Sequence, residues 1–318
     1  MRTPDNRQRF LIESCDVRGQ VCHLDETWRE ALARTDYPPA VREVLGEAFV
    51  AALLLAGTIK FEGRMTLQVR GDGPVHLLVV QVTGHGQVRG LARWKGDGTA
   101  DETAHADASA SVDERPTLPR AGQEPGSLAA LFGTEARMII TIEAREHAEP
   151  HRGIVPLEGE RLGDALASYF RDSEQLQTEL ILSVGERTAA GMLLQKLPAN
   201  ERVTDDADGW RRAATLASTL SGEELRERDV GSLLHALFHE ERVRLFEGSG
   251  VRFACGCSRE RTDGMLAGLG EAEVRDILEE RGEVEITCEF CDAVYRYDAV
   301  DVAALFADAL DGDSDVRH

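Results

Sequence analysis

This sequence has no long apolar run, no secretion signal and very little lysine. Its longest apolar run, Ala48–Ala56, is far shorter than the ~20 residues that a membrane-spanning helix needs. Its N-terminus, MRTPDNRQRF, lacks the apolar stretch of a signal peptide. Lysine occurs only at Lys60, Lys95 and Lys196, a bias that we attribute to genome composition. We therefore expect a cytoplasmic protein with no membrane partner.

Basic residues are also too few for a protein that binds nucleic acid. The 318 residues include 57 Asp and Glu against 36 Lys and Arg, for a formal net charge of −21. Such a field repels phosphate backbones, so we expect no nucleic-acid partner. With 42% hydrophobic residues, the chain is long enough to bury one sizeable core and to carry a small second module.

Motifs of the common catalytic sites are missing as well. The sequence contains no P-loop, no G-x-S-x-G and no H-E-x-x-H. Gly84–Gly86 lacks the glycine spacing of a dinucleotide-binding turn. The adjacent acids Glu223–Glu224 and Glu279–Glu280 are typical of solvated helix faces rather than of an acid/base couple. We predict that the protein is not an enzyme.

What the sequence does contain is two close cysteine pairs near its end. One residue separates Cys255 from Cys257, and two residues separate Cys288 from Cys291, with 30 residues between the pairs. This spacing favours four thiolates around one Zn²⁺ in a closed tetrahedral site. Six cysteines in a chain without an export signal fit metal binding in a reducing cytosol better than a disulfide scaffold.

The remaining candidate ligands have simpler interpretations. Cys15 and Cys22 lie far from the other cysteines in sequence, and we expect ordinary half-buried thiols there. His235 and His239, four residues apart, would share one helix face. No third ligand accompanies them, so we expect solvated or interface histidines.

The cysteine pairs alone leave two roles open. Zinc could simply hold a small module folded, since binding worth ~10–16 kcal/mol is available from a structural site. Three arginines, Arg252, Arg259 and Arg261, are expected to crowd the first pair and to favour reactive thiolates once metal leaves. A disulfide between Cys255 and Cys257 would close a small, strained ring that is easily reduced again. Spacing does not separate a structural site from a redox switch.

Residues 1–200 are predicted to form an α+β core with antiparallel sheets and helices. Apolar residues at spacings of three and four predict a buried helix over Pro39–Gly57. Alternating residues and turns predict an antiparallel meander over residues 64–94. A strand at 137–143, a helix around 162–170 and strands at 178–184 and 191–196 follow. Residues 96–127, rich in Gly, Ala and Asp, are expected to form a long irregular excursion.

The end of the chain divides differently. Residues 201–250 are predicted to form a metastable linker of short amphipathic helices, with a capping box at Ser221–Glu224 and a cap at Asp229. Such helices need an apolar face of the core as a partner. Residues 251–300 are predicted to be a zinc-binding redox-switch module with a helix over 271–281 and a strand pair. The core of such a small module usually needs a bound metal or a disulfide to stay folded. We expect an acidic tail at 301–318, disordered from Asp311.

The chain carries a family resemblance over nearly its whole length. Besides the C-x-C-x30-C-x-x-C pattern, seven phrases contribute: Phe10–Ile12, Leu45–Ala48, Lys60–Arg64, Gln68–Pro74, Gly153–Gly159, Tyr169–Leu176 and Gly191–Gln195. Together they resemble the redox-regulated 33-kilodalton heat-shock protein family, the bacterial oxidation-activated holdase chaperones. The excursion before Gly126 and the extended acidic tail depart from the family pattern, so the resemblance assigns them no role.

The resemblance implies a mechanism. Zn²⁺ on the four cysteines would mark the reduced, inactive protein, and oxidation would join Cys255 to Cys257 and Cys288 to Cys291 and release the metal. The module and the linker would then unfold and expose a surface that binds unfolding client proteins without ATP. The family implies a homodimer in the oxidised state.

Two other functions use the same cysteines. A zinc-ribbon accessory protein would need a basic, aromatic binding face, which the charge of −21 opposes. A thiol oxidoreductase would use Cys288 and Cys291 catalytically, but such a pair normally opens a helix, whereas this one follows a predicted strand.

Overall fold

The structure is a computed structural model, and it describes residues 5–96, 127–145, 149–197 and 208–312. The chain forms two compact units, Met1–Ala254 and Cys255–His318. Within the described ranges, no helix is long and apolar enough to cross a membrane. Helices and mainly antiparallel strands occur together in the first unit, which confirms the predicted α+β class.

The first unit contains two sheets. Its strands, in chain order, are β1 (Asn6–Ile12), β2 (Val17–Leu24), β3 (Gly63–Arg70), β4 (Val75–Thr83), β5 (Gln87–Trp94), β6 (Arg137–Ala144), β7 (His151–Pro156), β8 (Thr178–Val184), β9 (Ala189–Lys196), β10 (Val243–Leu245), β11 (Ser249–Gly250) and β12 (Arg252–Phe253). The first sheet has the order β10-β1-β2-β9-β8, and β11 also pairs with β1. The second sheet has the order β12-β5-β4-β3-β6-β7. All pairings are antiparallel except that of β12 with β5.

Helices of the first unit lie between and against these sheets. In chain order they are α1 (Glu26–Leu32), α2 (Pro39–Ala56), α3 (Leu128–Phe132), α4 (Leu162–Asp172), α5 (Gly209–Ser218), α6 (Gly222–Glu227) and α7 (Val230–Phe238). Helix α2 contacts strands of both sheets and is buried along almost its whole length. An all-round apolar surface suits a helix enclosed in this way, because every face replaces water with apolar contacts.

Helices α5, α6 and α7 cover an apolar face of the first sheet. We call this contact the linker interface; its buried members are Phe10, Ile12, Cys15, Val17, Val21, Ala190, Met192, Leu194, Ala213, Ala217, Leu225, Val230, Leu233, Leu234, Leu237 and Phe238. The helices have ten, six and nine residues, too short to persist alone in water. The sheet face supplies the apolar partner that the sequence required.

The chain between α7 and the second unit runs along both sheets. We call residues 242–254 the strap. Strands β10 and β11 pair with β1 of the first sheet, and β12 pairs with β5 of the second sheet. Near its end, Phe253 is buried and the guanidinium carbon of Arg34 lies 4.6 Å from its ring centroid. The strap therefore holds the end of the linker against the core up to the residue that precedes Cys255.

The second unit is a small module of three helices and one strand pair within the described residues. It consists of α8 (Arg259–Leu269), α9 (Glu271–Arg281), β13 (Val284–Thr287), β14 (Val294–Tyr297) and α10 (Ala299–Gly312). The predicted stop of α9 is confirmed, because Gly282 adopts a left-handed conformation with φ of 81° and its N–H bonds the carbonyl of Leu278.

Two sequence expectations differ from the structure at the chain's end. Residues 301–312, assigned to an acidic tail, belong to α10, whose Val302 and Phe306 are buried in the core of the second unit. Val302 and Phe306 are four residues apart, so both face the core of the second unit, and this packing forms a helix despite the acidic composition of the segment. The predicted linker of 201–250 is also not purely helical, since it includes β10 and β11. Residues 97–126, almost all of the predicted excursion, and residues 313–318 lie outside the described residues.

Candidate metal centre and the helical linker

The four cysteine sulfurs of the second unit converge. One ligand atom from each of Cys255, Cys257, Cys288 and Cys291 lies within 4.8 Å of every other. The Sγ atoms of Cys255 and Cys288 are 3.6 Å apart, and those of Cys257 and Cys291 are 3.2 Å apart. All four side chains are partly buried. The structure thus joins the residues that the sequence singled out.

The second cysteine pair is held by a tight turn after β13. The N–H of Cys288 bonds the carbonyl of Ala293 at 2.9 Å, and the carbonyl of Cys288 accepts from Cys291 at 3.3 Å and from Asp292 at 2.8 Å. Asp292 adopts a left-handed conformation with φ of 52°. This turn reverses the chain into β14 and places both sulfurs on one side.

The first cysteine pair lies in the segment that leads into α8. Ser258 follows Cys257 directly and caps that helix, its hydroxyl accepting from the N–H of Arg261 at 3.4 Å. A Cβ atom placed on Gly256 would lie 3.1 Å from Nη1 of Arg261. A guanidinium thus stands beside the Cys-x-Cys segment, as the sequence suggested for Arg261.

Arg259 has different partners. It forms a 3.0 Å ion pair with Asp301, stacks over the ring of Tyr297 at 4.4 Å and donates to the carbonyl of Arg296 at 3.1 Å. Its role is to tie α8 to β14 and α10.

Burial perturbs the thiols. It raises the pKa of Cys288, although the N–H groups of Phe290 and Cys291 that face its sulfur act in the opposite direction. It also raises the pKa of Cys291, against the opposing effect of the Ala293 N–H. Without a metal these thiols therefore keep their protons, and a metal that binds here must displace them.

A tyrosine hydroxyl also reaches the cluster. The nearby sulfur of Cys257, together with burial and the charges of the cysteine sulfurs, raises the pKa of Tyr295 to about 12. Tyr295 belongs to β14, and nothing in the sequence pattern marked it as a neighbour of the cysteines. Tyr295 lies two residues before the buried Tyr297 and shares its face of the strand, but this spacing says nothing about the cysteines.

The sulfur geometry fits a tetrahedral divalent metal. With Zn–S bonds of about 2.3 Å, the sulfurs of a regular tetrahedron lie about 3.8 Å apart. The observed separations of 3.2 and 3.6 Å, and the 4.8 Å limit on all pairs, bracket that value. An all-thiolate set selects zinc or an iron centre over harder cations. All four protein positions are filled by thiols, which is the pattern of a structural rather than a catalytic metal site.

The core of the second unit is very small. Among the side chains that the structure describes, its buried apolar members number six, and a few partly buried apolar residues pack against them: Leu266, Val274, Val284, Tyr297, Val302 and Phe306 are the buried ones. The hydroxyl of Tyr297 is bonded to Thr262 and donates to Asp263 at 2.7 Å, so even its largest side chain carries a polar group that must be satisfied. A core of this size supplies little stability without a metal or a disulfide.

Polar contacts reinforce the linker interface of the first unit. The guanidinium of Arg212 on α5 lies 2.6 Å from Glu241, which also accepts from the hydroxyl of Ser14 in the β1–β2 turn. Arg226 on α6 donates to the hydroxyl of Ser183 on β8. These bonds tie the linker to the sheet and to the β1–β2 turn, and no local sequence pattern indicates them because each joins residues that are more than 25 positions apart.

The other candidate ligands stay apart from the metal cluster. Cys15 and Cys22 are buried in the first unit, and burial raises the pKa of Cys22 to about 12. His235 and His239 are exposed on α7 with ring centroids 6.2 Å apart. In the part of the chain that the structure describes, the four-cysteine group is the one set of three or more potential ligands found close together.

Fold and cluster define an α+β protein whose core carries a separate four-cysteine module. Comparison with known proteins identifies the family to which a protein of this class belongs. A family model described as "Hsp33 protein" matches residues 5–298. The chain belongs to the Hsp33 family, which is a family of chaperones and not of enzymes. The family resemblance and the absence of an enzyme activity predicted from sequence are both confirmed by these relatives.

Individual relatives match from end to end. The "33 kDa chaperonin" of Nitrosococcus oceani is 42% identical over 98% of this chain and 97% of its own. That of Chromobacterium violaceum is 40% identical over 100% of this chain and 99% of its own. The crystal structure of the 33 kDa chaperonin from Thermotoga maritima superposes with a TM-score of 0.78, at 21% identity, over 97% of this chain and all of that one. The last match supports the fold.

Proposed function

We propose that this protein is a holdase chaperone that needs no ATP and is switched on by oxidation of its metal centre. The observation that carries the proposal is the convergence of Cys255, Cys257, Cys288 and Cys291 in a module too small to stay folded on its core alone. These four residues would hold one Zn²⁺ in the reduced, inactive protein. The metal would supply no catalysis; it would bind the thiolates and hold the module together.

The activating step is a thiol oxidation by peroxide or hypochlorous acid. Each pair of thiolates loses two electrons to form one S–S bond, and one hydrogen peroxide accepts them with two protons to give two waters. Two such steps would join Cys255 to Cys257 and Cys288 to Cys291, as the family resemblance implies, and would leave Zn²⁺ without ligands. The Sγ–Sγ distances of 3.6 and 3.2 Å join a cysteine of one pair to a cysteine of the other, so peptide mapping of the oxidised protein is needed to test this pairing.

Loss of the metal would destabilise the docked linker, and the strap would transmit this effect. The strap ends at Ala254, whose N–H bonds the carbonyl of Val88 at 3.0 Å, and Cys255 follows directly. When the module unfolds, the strap loses its ordered C-terminal anchor. The short helices α5, α6 and α7 would then be held only by the linker interface and a few polar bonds, and regions of low local stability open first.

Opening of the linker would expose the client-binding surface. The apolar side chains of the linker interface from both the sheet and the helices would reach solvent together. A contiguous apolar patch of this kind binds the exposed hydrophobic segments of unfolding proteins. We infer that the partners are unfolding client proteins in the cytoplasm and, as the family resemblance implies, a second copy of the oxidised chain, with no nucleic-acid or membrane partner.

Zinc content and chaperone activity of one preparation test the proposal. The reduced protein should hold about one Zn²⁺ per chain, identified as zinc rather than iron by elemental analysis, and should not protect a thermally unfolding enzyme from aggregation. Oxidant with mild heating should release the zinc and produce protection, and a dithiol should reverse the thiol state. Retained zinc, or an oxidised protein without protection, would contradict the switch. Catalytic turnover of a dithiol would instead support an oxidoreductase.

A further inference from the structure

One edge of the first sheet is occupied by the chain's own strap. Strand β1 pairs on its inner side with β2 along all seven of its residues. Among the described strands, its outer side meets only β10, through three residue pairs, and β11, through two. Between β10 and β11 the strap adds a bond from the N–H of Phe246 to the carbonyl of Arg9 at 2.9 Å. The outer edge of β1 is thus covered by short, interrupted pairing.

The strap bonds mainly to backbone groups of odd-numbered residues in β1 and immediately beside it. The carbonyl of Asp5 accepts from Val251 at 3.1 Å, that of Arg9 accepts from Phe246, and the N–H of Glu13 donates to the carbonyl of Arg242 at 2.9 Å. Alternation along a strand places the backbone groups of Arg7 and Leu11 on the same outer side. The strap therefore shows how an extended chain binds β1 chiefly through its main chain.

We propose that in the activated protein the outer edge of β1 binds a client segment as an added β-strand. This inference rests on the proposed function, because the edge becomes free only when the strap leaves. Main-chain hydrogen bonds would hold the client, and alternate client side chains would fall on the face of the sheet that α5, α6 and α7 have vacated. Phe10 and Ile12 of β1 belong to that face.

The chemistry of this edge selects unfolded polypeptide as the occupant. Pairing through N–H and C=O groups does not depend on client sequence, which suits a chaperone that meets many different proteins. Folded proteins have already paired most of their buried backbone groups, so they offer few strands to add. An uncovered strand edge is also a template for aggregation, which explains why the resting protein keeps it covered.

A proline placed in β1 tests the proposal. Arg9 is exposed, and its backbone faces the strap, so Arg9→Pro removes an edge N–H while leaving the groups that pair with β2 in place. Arg9→Ala removes the same side chain and keeps the N–H. Both variants are oxidised, and zinc release, binding of an apolar dye and affinity for a fluorescently labelled, chemically unfolded test protein are measured.

We expect equal zinc release and equal dye binding in the two variants, with affinity for the unfolded protein about fivefold lower for Arg9→Pro than for Arg9→Ala. Equal affinities would overturn the edge-pairing proposal and leave the proposed function intact. If Arg9→Ala releases zinc and binds no unfolded protein, the proposed function fails first, and the edge proposal falls with it.

Hydrogen exchange on the unmodified protein gives a second measurement that does not depend on the folding of a variant. The amides of Arg9 and Leu11 should exchange quickly after oxidation and become protected when the unfolded test protein is added. Amides that stay unprotected with client bound would overturn the proposal. Protection that appears without client and grows with protein concentration would assign the edge to a second copy of the chain and would overturn it as well.

Discussion

The Nε2 atom of His23 on β2 lies 2.6 Å from the carbonyl oxygen of Leu225 on α6. Since a carbonyl only accepts, Nε2 carries the proton and donates it. The imidazole is buried, and in the described structure its Nδ1 atom has no hydrogen-bond partner. A second proton on this ring would place a charge in a site that offers it no acceptor, so the docked linker requires a neutral His23.

This contact predicts that acid loosens the linker. Burial lowers the pKa of His23 in the docked state, partly offset by the Leu225 carbonyl and by the charges of Asp229 and Asp5. A released linker would return the pKa toward about 6.5. Docking stability is therefore complete above about pH 6.5 and declines as the pH falls toward the lowered value, because only the released state takes up the proton.

Limited proteolysis of residues 209–238 between pH 7.5 and pH 5.5 measures this effect. We expect cleavage of the zinc-bound protein to rise as the pH falls, and His23→Gln, which keeps a donor but does not titrate, to flatten the profile. Both proteins carry the same cysteines, so acid effects on the metal centre are common to them. Identical profiles would contradict the role of His23.

The rings of Phe10 and Phe238 join the sheet to α7 with centroids 6.2 Å apart, and Phe238 is fully buried. Truncating a buried phenylalanine to alanine costs about 3–5 kcal/mol. Because helices of this length depend on packing, Phe238→Ala should release the linker while zinc is still bound. An increase in apolar-dye binding by the reduced protein measures the release. His239 is an exposed neighbour, and His239→Ala is the control; it should bind as much dye as the unmodified protein. If Phe238→Ala binds no more dye than this control, the linker interface does not hold the helices as described.

Glu241 is nearly buried beneath Arg212 and Ser14. Glu241→Gln removes the charge but keeps one acceptor, and we expect it to weaken docking by about 1 kcal/mol, since the partly exposed Arg212 is screened by solvent. The variant should therefore begin to bind dye at a lower temperature. Arg211→Gln on the same helix breaks an ion pair with Asp208 in which the arginine is 80% exposed, and it should leave that temperature unchanged. If the temperature at which dye binding begins falls equally in the two variants, Glu241 has no specific role in holding the linker on the sheet.

The metal centre makes a prediction for single cysteine replacements. Cys288→Ser leaves three thiolates around the metal and should lower the zinc content and unfold the second unit, because the small apolar core described for that unit gives little stability alone. Loss of the near-ultraviolet circular dichroism of Tyr295 and Tyr297 reports this unfolding. Cys15→Ala removes a buried thiol of the first unit and should retain zinc. If the second unit of Cys288→Ser stays folded without zinc, the metal is not required to keep that unit folded.

Much of the fold could be predicted because local signals agreed with tertiary packing. Helix α2, the β3–β4–β5 meander and the capping box at Ser221 all have strong periodic or capping patterns, and the structure confirms them. Strand β1 escaped prediction because Asn6–Arg9 are polar, and only Phe10 and Ile12 of the strand are buried.

Within the candidate site, too, some residues could be predicted from the sequence and others could not. The metal ligands are close in sequence within each pair, so spacing revealed them. The partners that connect the linker to the core, such as His23 with Leu225, join positions 202 residues apart, and no local pattern encodes such a contact. Helix α10 was missed because its acidic residues hid the spacing of Val302 and Phe306.

Hydrogen exchange of the amides in α5, α6 and α7, recorded with the zinc content of the same samples, tests the central claim most directly. We predict slow exchange in the reduced, zinc-bound protein and fast exchange after oxidation, with the rise in exchange following zinc loss in time and coinciding with protection of an unfolding client. Zinc loss that leaves these amides as slow as before, while the client is nonetheless protected, would contradict the account.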